Sequence, residues 1–255
     1  MVVYTSADSA GVATSVAKYI VNAQLNALKT KKTFTIAVSG GSMGKVLKAG
    51  LIDSPEIASQ VQWDKWNVYL SDERLVPLDH EDSNYGLFIS LVVDHLKDAK
   101  PSVHPIDVSL LTGENGQVDG SDAAKDESIA EAYAKVLPSD GVFDLILLGC
   151  GPDGHTCSLF PGHALLEEKS RSVASIRDSP KPPPRRITFT LPLLAKAEAI
   201  AFIAEGAGKA PVLEEIFNDP SSKLPCKIVT DLDLPVSWFV NDAALQGTNV
   251  ISSKY

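Results

Sequence analysis

One glycine-rich turn carries an aspartate and a histidine two residues apart, directly after an apolar run that is typical of a buried strand. The apolar run is Phe143–Leu148, and the turn reads Gly149-Cys150-Gly151-Pro152-Asp153-Gly154-His155. The ordinary pKa of histidine is about 6.5, so His155 can accept a proton near neutral pH. Open α/β sheets hold their ligands beyond the carboxyl ends of the strands, which is where this turn falls. The pattern therefore favours general-base chemistry at His155, although a lone loop histidine is otherwise a solvated surface residue.

A second strand-to-helix turn has the composition of a phosphate site. Ser39-Gly40-Gly41-Ser42 follows the strand-like run Phe34–Val38 and precedes a helical pattern. Backbone N–H groups at the start of a helix point outward at the positive end of its dipole, where anions bind. The turn is not a P-loop, because that motif needs Ser or Thr after its lysine and Val46 follows Lys45. A phosphate site and a purely structural turn both remain open.

Charged residues occur at the end of another predicted strand. Asp72-Glu73-Arg74 follows Val68–Leu70 with one serine between them, and Ser83-Asn84 opens a helical pattern further on. Arg74 has a guanidinium that can orient a carbonyl group or stabilise an oxyanion. The same three charges could also form a solvated surface with local ion pairs. Ser83 or Asn84 is most simply the N-cap of the helix.

Two further cations adjoin turns. Arg186 ends the proline-rich loop 178–186 just before a predicted strand, and Lys209 lies in the glycine turn 204–210 at the start of a helix. A lysine at a helix N-terminus opposes the helix dipole, and this placement is more favourable if an anion lies between the two. In a chain of formal net charge −9, cations beside glycine turns predict a phosphorylated small molecule as the ligand.

Composition excludes several other classes of function. The chain has 255 residues, of which 44% are hydrophobic and 22% charged, as in globular proteins generally. The net negative charge argues against nucleic acid or an anionic membrane as the main partner. Cys150, Cys157 and Cys226 form no CxxC pair and match no zinc pattern, so we expect reduced thiols, no metal site and a cytoplasmic protein. We find no targeting segment and no apolar run of membrane-spanning length.

Strand and helix patterns alternate along the chain. The predicted strands are Phe34–Val38, Val68–Leu70, Phe143–Leu148, Ile187–Leu191, Ile200–Ile203 and Val236–Val240, and the predicted helices are Gly44–Leu51, Asn84–Leu96, Ala123–Leu137 and Ala207–Phe217. Residues 1–28 carry an apolar stripe of helical period, and Thr112–Asp126 has the composition of a surface loop. This alternation predicts an α/β fold with a mostly parallel sheet covered by helices on both faces. We expect one domain over residues 1–255.

Taken in order, these motifs resemble those of the 6-phosphogluconolactonases. The resemblance is carried by Ser39-Gly40-Gly41-Ser42, by Asp72-Glu73-Arg74 with Ser83-Asn84, by Gly149 to Gly162, and by Arg186 with Gly206 and Lys209, and it covers about residues 8 to 245. It implies a Rossmann-like sugar-phosphate isomerase/deaminase-type fold. It also implies hydrolysis of 6-phosphoglucono-δ-lactone in the oxidative pentose phosphate pathway, with no metal or organic cofactor. Where many relatives have alanine, this chain has Cys157.

The resemblance also assigns roles. It implies that His155 deprotonates the attacking water, and that Arg186, Lys209 and the backbone of Gly40 to Ser42 hold the phosphate. It matches Arg74 to a residue that orients the substrate, and it places Ser39 and Asp72 in the binding site. Asp153 either orients the imidazole or stabilises its turn. We expect a phosphorylated sugar lactone as the small-molecule partner, and the protein to be a monomer or a weak dimer.

Two alternatives accompany this interpretation. Deaminases and isomerases of amino-sugar phosphates share the glycine turn and the Asp-Gly-His sequence. They resemble Asp-Glu-Tyr where this chain has Asp72-Glu73-Arg74, and they carry a glutamate where it has Phe160. The second alternative is a non-catalytic protein that binds sugar phosphates, which would be expected to have lost catalytic residues. None of the matched positions is lost here.

Overall fold

The computed structural model describes residues 1–112 and 123–255, and their strands form two sheets. The larger sheet has eight strands, all paired in parallel. In chain order they are β1 (Val2–Ser6), β2 (Phe34–Val38), β3 (Trp66–Leu70), β5 (Ser102–Val103), β6 (Leu145–Gly149), β9 (Ile200–Ala204), β10 (Val236–Asn241) and β11 (Ser252–Ser253). The spatial order is β11-β1-β10-β9-β6-β2-β3-β5.

The smaller sheet is antiparallel and has three strands in the order β4-β8-β7. These are β4 (Asp72–Arg74), β7 (Val173–Ile176) and β8 (Arg186–Phe189). β4 begins two residues after the end of β3, so the small sheet lies beside the carboxyl edge of the large one. The backbone N–H of Ser71 donates to the carbonyl of Val38, at the end of β2. The backbone N–H of Phe189, in β8, donates to the carbonyl of Ser71.

Helices cover both faces of the large sheet. They are α1 (Ser9–Ala27), α2 (Met43–Leu47), α3 (Pro55–Ala58), α4 (Asn84–Leu91), α5 (Ala123–Val136), α6 (Leu191–Leu194), α7 (Ala210–Asn218) and α8 (Pro225–Thr230). Side chains alternate along a strand, and β6 shows the result. Leu145 and Leu147 pack in a core with α1 and α2, whereas Ile146 and Leu148 pack in another with α5 and α7. The predicted mostly parallel sheet with helices on both faces is confirmed.

Three predicted elements need correction. Residues 1–28 are not one helix, because Val2–Ser6 pairs with β10 and the helix begins at Ser9. The strand predicted over 187–191 is β8 of the small antiparallel sheet and ends at Phe189, because α6 begins at Leu191. The predicted loop Thr112–Asp126 ends too late: α5 begins at Ala123, and Asp126 is buried against Arg185. Most of that loop, 113–122, lies outside the described residues.

The helix boundaries otherwise follow the sequence pattern with local changes of pitch. α2 continues into one π-helical segment, Lys48–Ile52, and a single 3₁₀ turn, Val93–His95, follows α4. Another 3₁₀ turn, Ala207–Lys209, precedes α7. Within the described residues, no helix is both long enough and apolar enough to cross a membrane.

Candidate active site

His155 and Asp153 form a close pair on the turn that follows β6. Nδ1 of His155 lies 2.5 Å from Oδ1 of Asp153. Gly151 makes room for this pair, because a Cβ there would come within 1.9 Å of the imidazole Nδ1 and 2.6 Å of the Asp153 carboxylate. Any side chain at position 151 would therefore push the imidazole out of place. Asp153 is in position to fix the ring orientation and the tautomer with the proton on Nδ1.

The environment of the pair favours a neutral imidazole beside a charged carboxylate. Burial lowers the pKa of His155, while the hydrogen bond and charge of Asp153 oppose that shift. Burial raises the pKa of Asp153, but hydrogen bonds from His155 and Lys181 outweigh this effect and hold it at about 2. A neutral imidazole with its proton on Nδ1 can accept a proton at Nε2.

The Ser39–Ser42 turn links β2 to α2 at the same edge of the sheet. Gly40 is closely approached by Asn84, whose Oδ1 would lie 1.8 Å from a Cβ built there. The Ser39 hydroxyl bonds to that of Ser71 at 2.7 Å and donates to the Leu147 carbonyl at 3.3 Å. Ser39 therefore fastens the turn to two neighbouring strand ends. Ser42 is the N-cap residue of α2 and is exposed.

Asp72 is buried in a polar network next to the turn. Its carboxylate accepts a hydrogen bond of 2.8 Å from the Ser158 hydroxyl, and its carbonyl accepts one of 2.9 Å from the Asn84 amide. Asn84 thus connects Asp72 with the backbone at Gly40. Because Asp72 is only 5% exposed, the structure places it as a support of the site wall.

Glu73 organises the segment that follows. One carboxylate oxygen accepts the backbone N–H groups of Arg74 and Asn84, and the other accepts those of Tyr85 and the Ser83 hydroxyl. Burial raises the pKa of Glu73 to about 7, against the lowering effect of these backbone bonds. Ser83 caps α4 by accepting the N–H of Gly86, so the predicted N-cap is confirmed.

Arg74 and Arg186 are brought together by the small sheet. The two residues are direct partners in the antiparallel pair of β4 and β8. Burial and the charge of Arg74 together lower the pKa of Arg186 to about 10, against the opposing charges of Asp72 and Asp82. Within residues 1–112 and 123–255, no carboxylate forms an ion pair with either guanidinium; one Nη of Arg74 donates to the Asp82 backbone carbonyl, and its Nε is buried without a hydrogen-bond acceptor. Two adjacent cations that lack an anionic partner suit an anionic ligand.

Arg186 also holds the backbone of the proline-rich loop in place. Its Nε donates to the Pro183 carbonyl, and one Nη donates to those of Lys181 and Pro182. The other Nη lies 3.4 Å from the Ser158 hydroxyl. Arg186 is 2% exposed, so it shapes the proline loop as well as supplying charge.

Lys209 lies on the other side of the His155 turn. Its Nζ donates to the Cys150 carbonyl at 2.7 Å. Together with Ser42 and Lys45 it lines a cavity of about 600 Å³, which also borders Gly149, Glu205 and the first turn of α1. Arg186 and His155 do not line this cavity. The cavity therefore brings together Lys209 and the Ser39–Ser42 turn, but not the second predicted phosphate-binding cation, Arg186.

Sequence reasoning missed two cations of this region. Lys181, in the proline loop, contacts both Asp153 and His155, and Lys45 lines the cavity beside Lys209. A lysine within a loop that leads to Arg186 was a visible signal, but nothing local indicated its partner. The three cysteines are buried and free, and the described residues contain no group of three ligating side chains arranged for a metal ion.

Comparisons with known proteins agree with the fold and the motifs. The family model of glucosamine-6-phosphate isomerases/6-phosphogluconolactonase matches residues 7–238. The 6-phosphogluconolactonase 3 of Saccharomyces cerevisiae is 47% identical over 232 residues, covering 89% of each chain. The structure of 6-phosphogluconolactonase from Trypanosoma brucei superposes with a TM-score of 0.78 at 27% identity, covering 95% of this chain and 97% of that one. A monomeric glucosamine-6-phosphate deaminase, 17% identical with a TM-score of 0.75 over 97% of this chain and all (100%) of its own, shares the fold alone.

Proposed function

Because the chain belongs to the family of glucosamine-6-phosphate isomerases and 6-phosphogluconolactonases, we propose that it hydrolyses 6-phosphoglucono-δ-lactone to 6-phosphogluconate. This reaction is a step of the oxidative pentose phosphate pathway. The observation that carries the proposal is the His155–Asp153 pair, with Nδ1 and Oδ1 2.5 Å apart at the carboxyl edge of the sheet. Ester hydrolysis at neutral pH needs a base of this kind to activate water.

The proposed mechanism begins with proton transfer to Nε2 of His155. The water loses its proton as its oxygen attacks the lactone carbonyl carbon, which gives a tetrahedral intermediate and an imidazolium. Asp153 keeps the imidazole oriented and stabilises the imidazolium by its negative charge. When the intermediate collapses, the bond to the ring oxygen breaks and His155 returns the proton to that oxygen. The products are a carboxylic acid, ionised at neutral pH, and a hydroxyl group.

The negative charge of the intermediate needs a donor. Arg74 fits this task, since it is a partly exposed cation for which the described residues supply no carboxylate partner. An N–H held in a buried site stabilises an oxyanion without having to reorient during the reaction. In the same proposal Arg74 also orients the lactone before attack, while Asp72 shapes the wall through Ser158 and Asn84.

The phosphate is proposed to lie between the turn Ser39–Ser42 and the cations Arg186 and Lys209. Lys209 and Ser42 line one cavity, to which Lys45 adds a second lysine. The first turn of α1 borders the same cavity and contributes the positive end of a 19-residue helix. Glu205 also lines this cavity, and its negative charge opposes the attraction that the two lysines and the helix dipole exert on an anion. Arg186 contributes its charge from the side of the proline loop.

The deaminase and isomerase alternative remains the main competing function within this family. Against it, Phe160 stands where the resemblance gives those enzymes a glutamate, and Arg74 stands where it gives them a tyrosine. A phenylalanine cannot take part in a carboxylate–histidine relay. A non-catalytic sugar-phosphate binder is disfavoured because the proposed base and its carboxylate partner are both present and in contact.

We also propose which cofactors, cellular compartment, oligomeric state and partners this enzyme has. It requires no metal and no organic cofactor, since His155 supplies the base. We place the protein in the cytoplasm, as a monomer or weak dimer, with the phosphorylated sugar lactone as its partner and with no nucleic acid or membrane partner. A formal net charge of −9 is consistent with the last two points.

The deciding experiment measures acid release after addition of freshly generated 6-phosphogluconolactone. The spontaneous hydrolysis rate, recorded without protein, is the baseline. We expect a rate that increases with protein concentration, together with no ammonia release from glucosamine 6-phosphate. Acid release at the baseline rate would reject lactonase activity, and ammonia release would favour the deaminase function.

A further inference from the structure

Lys181 is the cation nearest to the proposed catalytic pair. Its Nζ lies 3.0 Å from Oδ1 of Asp153 and 3.1 Å from Nδ1 of His155. Oδ1 of Asp153 is also the oxygen that lies 2.5 Å from His155 Nδ1. One carboxylate oxygen therefore serves the imidazole and the ammonium at once. Lys181 lies 26 residues from His155 in the chain, so this contact is made by the tertiary fold alone.

The backbone of Lys181 is firmly held. Its carbonyl accepts hydrogen bonds from Arg186 at 2.9 Å and from the Ser179 hydroxyl at 2.8 Å, and its N–H donates to Ser179 Oγ at 3.2 Å. Pro182 and Pro183 follow directly and restrict the backbone further. The backbone of the loop therefore holds Lys181 in place, and its side chain is 36% exposed.

Two hydrogen-bond arrangements are compatible with the short distance between Lys181 Nζ and His155 Nδ1. Only one of them leaves Nε2 of His155 able to accept a proton. If Lys181 donated to Nδ1, the imidazole proton would sit on Nε2, which could then accept none. If Nδ1–H donates to Asp153, Lys181 donates to the same carboxylate and Nε2 is the acceptor. The Nδ1–Oδ1 distance of 2.5 Å is the shortest of the three contacts and favours the second arrangement.

In that arrangement Lys181 acts on the imidazole in two ways. Its positive charge repels an imidazolium 3.1 Å away. It also shares Asp153 Oδ1, which weakens the stabilisation that Asp153 gives to the imidazolium. The other charged groups acting on His155 are Asp153 on its own turn and Asp72 on β4, both of which favour the charged ring. The Cys226 thiol of α8 faces the His155 carbonyl and is held neutral by burial.

From this geometry, and resting on the proposed function, we propose that Lys181 is a positioning residue that fixes Asp153 and keeps His155 unprotonated until a water is deprotonated. The same repulsion makes the imidazolium a stronger acid once formed. Lys181 therefore leaves the base free before the attack and promotes return of the proton to the ring oxygen, although it makes the imidazole a weaker base while the water is deprotonated. Burial of His155 acts in the same direction, and Asp153 and Asp72 oppose it.

The test compares Lys181→Met, which removes the positive charge, with Lys181→Arg, which retains it. The first readout is the NMR titration of the His155 ring without substrate, assigned by its loss in His155→Ala. The second is the pH dependence of kcat/KM for the lactone. Lys169→Met is the matched control, because it makes the same change in net charge at a side chain that is 74% exposed.

We expect the His155 titration midpoint to move to higher pH in Lys181→Met and to return toward the wild-type value in Lys181→Arg. The acid limb of kcat/KM should move with it, so that the loss of activity is largest at low pH. Lys169→Met should leave both unchanged. A midpoint that stays in place or falls in Lys181→Met would overturn the proposal.

The NMR readout keeps the two proposals separate. If the wild-type protein does not hydrolyse the lactone, the proposed function fails, while the titration midpoint still decides whether Lys181 controls protonation of His155. If Lys181→Met does not fold, Lys181→Gln takes its place, since its amide can still hydrogen bond to Asp153 while carrying no charge. A loss of activity with an unshifted midpoint in that variant would also contradict the proposed role.

Discussion

The ring of Phe160 stacks on the imidazole of His155, with centroids 4.9 Å apart and planes inclined by 27°. Phe160 is 2% exposed, and the Arg186 guanidinium lies 5.8 Å from the centroid of its ring. An apolar ring against one face of the imidazole withholds water from it, which disfavours the charged form. At the position where the deaminases are expected to carry a carboxylate, this chain therefore has an apolar ring that contributes to the burial that lowers the pKa of His155.

Removing the proposed base should abolish most of the turnover. His155→Ala is expected to lower kcat by about 10²–10⁴-fold, the usual contribution of general-base catalysis, while affinity for 6-phosphogluconate is retained. His163→Ala is the matched control. His163 caps the 3₁₀ turn Ala164–Glu167 and contacts Asp178, so it should affect thermal stability more than kcat. Near-normal turnover in His155→Ala would refute the assigned mechanism.

The pH dependence follows from the protonation of His155. A base acts only when unprotonated, so kcat/KM should fall as pH drops through the pKa of His155. Burial lowers that pKa, and the midpoint of the acid limb should therefore lie below about 6.5, the ordinary value for histidine. Above neutral pH the rate should be flat with respect to this group. The measurement is kcat/KM across the acid range, corrected for spontaneous hydrolysis, and a midpoint above the ordinary value would contradict the burial argument.

The phosphate proposal predicts a selective loss of affinity. Lys209→Met should weaken binding of the phosphorylated lactone by about 1.5–3 kcal/mol, or about ten- to over a hundredfold, because a charge-assisted bond is lost. Turnover of unphosphorylated gluconolactone should be almost unchanged. Lys209 is preferable to Arg186 for this test, since Arg186 also holds three carbonyls of the proline loop. Equal losses on both substrates would assign Lys209 a structural role.

Glu73 should be important for stability. Glu73→Gln replaces one carboxylate oxygen by an NH₂ group, which would face donors in a site that is 1% exposed. The expected cost is about 1–3 kcal/mol in the free energy of unfolding, the penalty for a buried group left without its partner. Urea denaturation measures it. Glu56→Gln, an exposed glutamate in the first turn of α3, is the control and should change little; equal stability of the two variants would show that the Glu73 network is dispensable.

Activity should not depend on a metal. We expect dialysis against a strong chelator to leave kcat/KM unchanged, because His155 and its carboxylate partner supply the proton transfers. The measurement compares dialysed protein with the same sample after addition of Zn²⁺ or Mg²⁺. Activity that is lost on dialysis and restored by either ion would disprove the metal-free mechanism.

The sequence by itself determined the parts of this protein that depend on local pattern. The runs at 34–38 and 200–203 form buried strands because apolar β-branched residues there are bounded by turns. The order of the motifs identified the family. The roles of the site residues and the single domain over 1–255 stay predictions.

Only the tertiary structure decided which distant residues meet. Arg74 faces Arg186 because β4 and β8 pair across more than 100 residues of chain, and Lys181 reaches Asp153 because Arg186 and Ser179 fix the path of the proline loop. Neither contact has a periodic signal, since a charged residue in a loop is compatible with many partners and with solvent alone. The same is true of β1, a five-residue strand whose apolar residues merge with the pattern of α1 until its pairing with β10 is known.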